Sequence, residues 1–180
     1  TPTNAMPADI PNIVATIDAN VAQAGIINAA SNDGSNTYNI KDTAANLAGS
    51  SNALLATGGS VTVDGTSTIA YANTIAAFTT AVSYNISDEA SNIPGSVSVG
   101  QNEAINITIT NNVTFAQAKV IEDATNSGTI TYNINDTATA ITAGITADIA
   151  AINAAGTVTT TALILSSLTY SFILLRISDD

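Results

Sequence analysis

Three segments of the chain repeat one another: TYNIKDTA at 37–44, SYNISDEA at 83–90 and TYNINDTA at 131–138. Their tyrosines, Tyr38, Tyr84 and Tyr132, stand 46 and 48 residues apart. A regular spacing of this size governs the fold more than local propensity does, because each repeat must bury its apolar face on its neighbours. Halfway between the tyrosine segments lie two other β-rich runs, SVTVDGTS at 60–67 and INITIT at 105–110. Val61 stands 23 residues after Tyr38, and Ile107 stands 23 residues after Tyr84. The underlying unit is therefore about 23 residues long and comes in two alternating forms.

Each unit reads as one strand followed by one helix. Tyr-Asn-Ile puts Tyr and Ile on one strand face and Asn on the other, and VTV and INITIT alternate likewise. The segments that follow change to a helical period. Tyr71, Ile75 and Phe78 form one stripe, Ile141, Ile145, Ile149 and Ile152 another, and Phe115, Ala118 and Ile121 a shorter one. Pro11 behind Asp9 suits a first helical turn, which predicts an N-terminal helix with Ile13, Ile17 and Val21 on its face. Gly34, Gly58, Gly59, Gly128 and Gly156 fall where helices should stop and strands begin.

Strands joined by helices at this spacing run parallel with right-handed crossovers. The predicted fold is α/β: a repeat solenoid of strand–helix units with one parallel sheet, the alternative being an antiparallel β-sandwich. One repeat domain spans 1–180, with an N-terminal helix and cap over 1–36, strand–helix repeats over 37–156, and an apolar C-terminal segment over 157–180. The unit at 83–103 departs from the pattern. Pro94 and Gly95 argue against a helix there and for a loop with a short strand, SVSV.

The stretch ALILSSLTYSFILLRISDD is the most apolar in the chain, yet it is interrupted by serines and reaches Arg176 too soon for a membrane span of about 20 residues. It reads first as a strand or helix closing the last repeat, then as a docking element for a neighbouring subunit, and last as a membrane anchor.

Composition narrows the function. Charged residues are 9% of the chain, and the net charge is −11 with only Lys41, Lys119 and Arg176 as cations. Three cations do not displace the counterions of a nucleic acid, and they offer little to an anionic membrane surface. An acidic surface repels its own copies until salt or a divalent cation screens it. The chain has no Cys and no His, which removes thiolate and imidazole chemistry and nearly every zinc, copper or haem site. No phosphate-binding loop and no catalytic serine context is present, so an enzyme is not expected. A surface of Thr, Asn and Ser without cysteine suits an exported bacterial protein whose signal peptide has been removed.

The recurring acids Asp42, Asp88 and Asp136 each precede a helical segment. The simplest role is to cap that next helix, where orphan amides and the helix dipole favour a carboxylate. The sharper one is calcium, which takes hard oxygen ligands; Glu89, Asp64 and Asp33 (in SNDGSN) are further candidates. No EF-hand loop or calcium β-roll nonapeptide occurs. The repeated tyrosines read as core fillers with the hydroxyl at the edge, the other role being to stack on sugar rings. Asn-x-Ser/Thr sequons stand at Asn85, Asn106, Asn112 and Asn135.

TYNIKDTAANLAG, SGTITYNINDTATAI and ATNSG resemble repeats of very large bacterial surface proteins, the cyanobacterial and proteobacterial β-strand-repeat, adhesin and S-layer-like proteins. The resemblance covers roughly residues 37–156. It implies an exported structural or adhesive role, often alongside calcium-binding repeats, and brings no catalytic residues. The expectation is a subunit of an extracellular filament, sheath or surface layer that associates with itself through its C-terminal apolar segment. A carbohydrate- or surface-binding adhesin module is the alternative.

Overall fold

The computed structural model describes residues 12–31 and 34–161. The C-terminal apolar stretch and Asp33 lie outside the described residues, as does Pro11. The described chain winds as a parallel solenoid. Paired strands are neighbours in sequence, and all the pairs are parallel.

Seven coils follow one another. The first carries the extended segment 14–19 and helix α1 (Val21–Asn28). The second carries β1 (Ile40–Asp42), α2 (Ala44–Ala48) and α3 (Asn52–Leu55); the third carries β2 (Val61–Val63) and α4 (Ile69–Ala76). In the fourth, β3 (Ile86–Asp88) leads to a 3₁₀ turn at Ala90–Asn92 and then α5 (Val99–Glu103). The fifth holds β4 (Ile107–Val113) and α6 (Phe115–Glu122), and the sixth β5 (Ile130–Thr137), α7 (Ala138–Ala147) and α8 (Ile149–Ala154). β6 (Val158–Thr161) opens the seventh. The regular pairing falls into two sheets, β1-β2 and β3-β4-β5-β6, where the sequence predicts one. Isolated bridges continue the ladder across the gap and at its start: Thr62 and Ser67 pair with Ser83 and Ile86, and Val14 and Ala19 with Thr37 and Ile40.

The two alternating forms are visible in the backbone. Odd coils carry a single eight-residue helix (α1, α4, α6), whereas even coils carry the tyrosine segment and a broken helical return. Odd coils are also longer along the sheet. Val14 and Ala19 are five residues apart where their partners Thr37 and Ile40 are three apart, and Thr62 to Ser67 is five against three for Ser83 to Ile86. Thr108 to Asn112 is four against two for Thr131 to Asn133. The first, third and fifth coils thus bulge by two residues before their helices, which re-aims the chain at the turn. In the third coil the bulge contains Gly65 at φ +83, a backbone conformation that a side chain would strain.

Tyr38, Ile40, Val61, Val63, Tyr84, Ile86, Ile107, Ile109, Tyr132 and Ile134 point inward from successive coils. Helix residues Leu47, Leu55, Ala72, Ile75, Ala118, Ile121 and Ala151 meet them from the other side. These aliphatic and small side chains fill a narrow core, and complete burial of each Ile or Leu contributes about 1.5–3 kcal/mol.

Several local expectations are corrected. No helix runs from the region of Pro11 through Ile17: residues 14–19 form the first rung of the sheet, and α1 starts at Val21 behind the Asn20 cap. Pairing with the second coil outweighs the local helix-start signals. The segment SVSV is not a strand, because Val99 begins α5. Pro94 and Gly95 serve as the link before it. On α4 the buried face is Ile69, Ala72 and Ile75, and Tyr71 is 42% exposed. The isoleucine stripe of the sixth coil is broken at Asp148 (φ −159, ψ 83), which leaves Ile145 and Ile149 exposed. Val61 aligns with Ile40 and Ile107 with Ile86, so the isoleucines rather than the tyrosines set the register.

Candidate functional site

The repeated Tyr-Asn-Ile-x-Asp segment is a cross-coil stitch. Helices α1, α4 and α6 begin at Val21, Ile69 and Phe115, whose backbone amides have no partner within the helix. The N-cap side chains of Asn20, Thr68 and Thr114 serve the amides of Gln23, Tyr71 and Gln117. The first amide of each helix donates instead to an aspartate of the following coil. Val21 N reaches Asp42 Oδ2 at 2.9 Å, Ile69 N reaches Asp88 Oδ2 at 2.8 Å, and Phe115 N reaches Asp136 Oδ2 at 3.0 Å.

The second oxygen of each carboxylate is used locally. Asp42 Oδ1 accepts from Thr43 N and Asn46 Nδ2, both at 2.8 Å. Asp88 Oδ1 accepts from Glu89 N at 2.9 Å and Asn92 Nδ2 at 2.7 Å, and Asp136 Oδ1 accepts from Thr137 N at 2.7 Å. Capping of the next helix, the simplest role the sequence suggests for these acids, is corrected here. The cap side chains of α2 and α7 belong to Thr43 and Thr137, while each aspartate ties its own turn to the helix of the coil before. Burial acts to raise the Asp42 carboxyl, and the bonds from Val21, Asn46 and Thr43 overcome it and hold the group below its ordinary value.

The asparagine of the segment works in the opposite direction. Asn85 Oδ1 accepts from Asn106 N at 3.2 Å and Asn106 Nδ2 at 2.8 Å, and Asn133 Oδ1 accepts from Thr157 Oγ1 at 2.9 Å. Asn106 in turn takes Thr129 N at 2.8 Å. Gly128 makes room for this ladder: a Cβ there would lie 2.6 Å from Ile105 O and closer still to Asn106 Oδ1. As motifs, Asn85 and Asn106 are only sequons. Placement on the strand face opposite Tyr and Ile is the signal that points to a ladder.

Tyr38, Tyr84 and Tyr132 are all buried, as the strand pattern predicts. Tyr84 Oη donates to Gly100 O at 2.9 Å, Tyr132 Oη donates to Ala151 O at 2.7 Å, and Tyr38 Oη meets Thr57 Oγ1. Burial, reinforced by Glu103 near Tyr84 and Glu122 near Tyr132, pushes both phenols above their usual range. None of the three rings is open to a sugar.

The acids considered for calcium are not drawn into one cluster. Among the described residues no group of three or more acids is gathered as a metal site would require. Asp42, Asp88 and Asp136 sit in alternate coils. Asp64 pairs with Lys41 Nζ at 3.1 Å, and Glu89 heads the 3₁₀ turn without a side-chain capping bond. Hollows of about 390 and 320 Å³ open beside Asp42 and Asp88, and in each that one carboxylate stands with asparagines. Lys119 bridges Asp123 at 3.1 Å and Asp148 at 3.2 Å, the latter at the break between α7 and α8.

The other notable surface is the outer end of the first coil. Ile17 is 78% exposed, Ile26 74% and Val14 63%. An apolar cavity of about 260 Å³ lies among Ala15, Ile17, Ala19, Gln23, Ile26 and Ile27, with Asp18 on its lining. Among the described residues no helix is long and apolar enough to cross a membrane. No family model, no curated protein and no solved structure matches the chain.

Proposed function

We propose that the protein is an extracellular structural subunit that self-assembles into a filament, sheath or surface layer. The observation that carries this reading is the apolar face of the first described coil, where Val14, Ile17 and Ile26 are exposed. An apolar solenoid face of this kind calls for a further repeat or a partner to cover it. The remaining polar side chains support the same role, since the asparagines and aspartates of the repeat bind neighbouring coils of the chain itself. An adhesin that holds glycans on the repeated tyrosines finds no support in their burial.

The acidic charge enters as a regulator of assembly. With a net charge of −11, copies repel one another until counterions screen them. Calcium belongs to the proposal as a counterion of this acidic surface, because the carboxylates of Asp42, Asp88 and Asp136 are already held by backbone amides. The test is electron microscopy and light scattering of the purified chain with calcium, with chelator and with added salt. Ordered polymers favoured by calcium are expected. A monomer at high concentration under all three conditions would end the assembly reading, and polymers indifferent to calcium and chelator would remove the metal alone.

A further inference from the structure

We infer that the apolar end of the first coil receives the segment 162–180 of a second copy, joining subunits head to tail; the inference rests on the self-assembly reading. The receiving surface is defined by described residues. Ile17 and Ile26 stand most exposed among the large apolar side chains of the described chain, and the cavity between the rung and α1 holds about 260 Å³. An apolar cavity of roughly 150 Å³ already takes a benzene-sized group, so this one accepts one or two aliphatic or aromatic side chains. Exposed patches of this kind mark interaction sites.

The choice of occupant follows from chemistry. Two stretches outside the described residues could supply it, 1–11 and 162–180. The first, TPTNAMPADIP, offers only Met6 and Ile10 as large apolar groups and is stiffened by three prolines. The second offers Leu163, Leu165, Leu168, Phe172, Ile173 and Leu174, and it carries Arg176 ahead of Asp179 and Asp180. Asp18 is exposed, and its carboxylate pairs with no cation among the described residues, so Arg176 supplies the charge it lacks. A segment of the same chain would have to cross the six coil steps from the rung at Val158 to the rung at Val14, about 29 Å of sheet at roughly 4.8 Å per step. That crossing would spend about nine residues, Leu163, Leu165 and Leu168 among them, so a second copy is preferred. A segment from an apposed copy meets the cavity beside its own last coil, and a contact between unlike ends propagates as an open filament.

The experiment uses the full chain. Ile17→Lys with Ile26→Lys changes two exposed side chains, so the melting curve should be preserved while the concentration needed for assembly rises roughly tenfold or more. Arg176→Glu should weaken assembly, and adding Asp18→Lys to it should restore assembly. Polymers that form equally well from the double-lysine variant, or an Arg176→Glu defect that Asp18→Lys leaves unrepaired, would overturn the proposed contact while leaving self-assembly standing. A wild-type chain that stays monomeric removes both.

Discussion

Asp88 reaches back nineteen residues to accept the backbone amide of Ile69 at 2.8 Å, and it is buried where it does so. The same carboxylate holds Glu89 N and Asn92 Nδ2, so a single side chain fixes the start of one helix, the end of one strand and the turn that follows. Equivalent bonds from Asp42 and Asp136 repeat the arrangement two coils away on either side.

Removing that staple should be costly. Asp88→Ala leaves the Ile69 amide and the Glu89 amide without partners in a buried site, a loss of about 1–3 kcal/mol. Asp64→Ala, which breaks only an exposed ion pair with Lys41, should cost less than about 1 kcal/mol. Urea unfolding of the two variants beside the parent protein checks the contrast, and equal losses would refute it.

Acid should weaken the fold through Asp42. Its folded-state value lies below the ordinary carboxyl value, so the stabilisation is complete above about pH 3.9 and is lost as pH falls through the folded value. Melting temperatures recorded between pH 6 and pH 2 should fall more steeply for the parent protein than for Asp42→Asn, which has no carboxylate to protonate at that position.

Alkali acts with the opposite sign. Tyr84 and Tyr132 are held above the usual phenol range, so the folded state keeps their protons after an unfolded chain has lost them. Stability is whole below about pH 10 and declines as pH rises beyond it. Ultraviolet titration should show the Tyr84 and Tyr132 phenols ionising only above the usual phenol range. Tyr132→Phe should cost about 0.5–1.5 kcal/mol through the lost bond to Ala151 O.

Gly128 tests the coil-to-coil approach. A methyl group there collides with Ile105 O and the Asn106 side chain, predicting a loss of about 1–3 kcal/mol for Gly128→Ala. A Cβ on Gly95 would meet nothing within 4 Å, so Gly95→Ala should be close to neutral by the same thermal melt.

The parallel strand–helix solenoid is legible because its signal is periodic: Tyr38, Tyr84 and Tyr132 recur at one strand position and all three are buried. The direction of the aspartate bonds is not legible, because capping rules look along the chain and Asp136 finds Phe115 across a coil boundary. The same limit explains the N-terminal segment. Val14 and Ala19 are recruited by Thr37 and Ile40, partners more than twenty residues away that no local start signal reports. On α4 the aromatic Tyr71 fits an apolar stripe by spacing, yet Ile69, Ala72 and Ile75 hold the buried face. The small Ala72 suits a crowded contact, since a Cβ on Gly100 would lie 2.5 Å from Asn73 N. For the candidate site, the acids are visible as residues but their hydrogen-bond partners are not. The exposure of Ile17 and Ile26 depends on the helix beginning at Val21 rather than near Pro11.

The two-residue bulge of the odd coils sets the quantum in which such a chain can change its length. Deleting one coil would place a tyrosine segment on another tyrosine segment, with no helix start offering an amide to its aspartate and no bulge to match its register. Deleting or duplicating two coils, one full interval between successive tyrosine segments, restores every partner. Growth by tandem duplication, and any engineered extension, is therefore favoured in even numbers of turns, and a chain shortened by a single turn should unfold more readily than the parent.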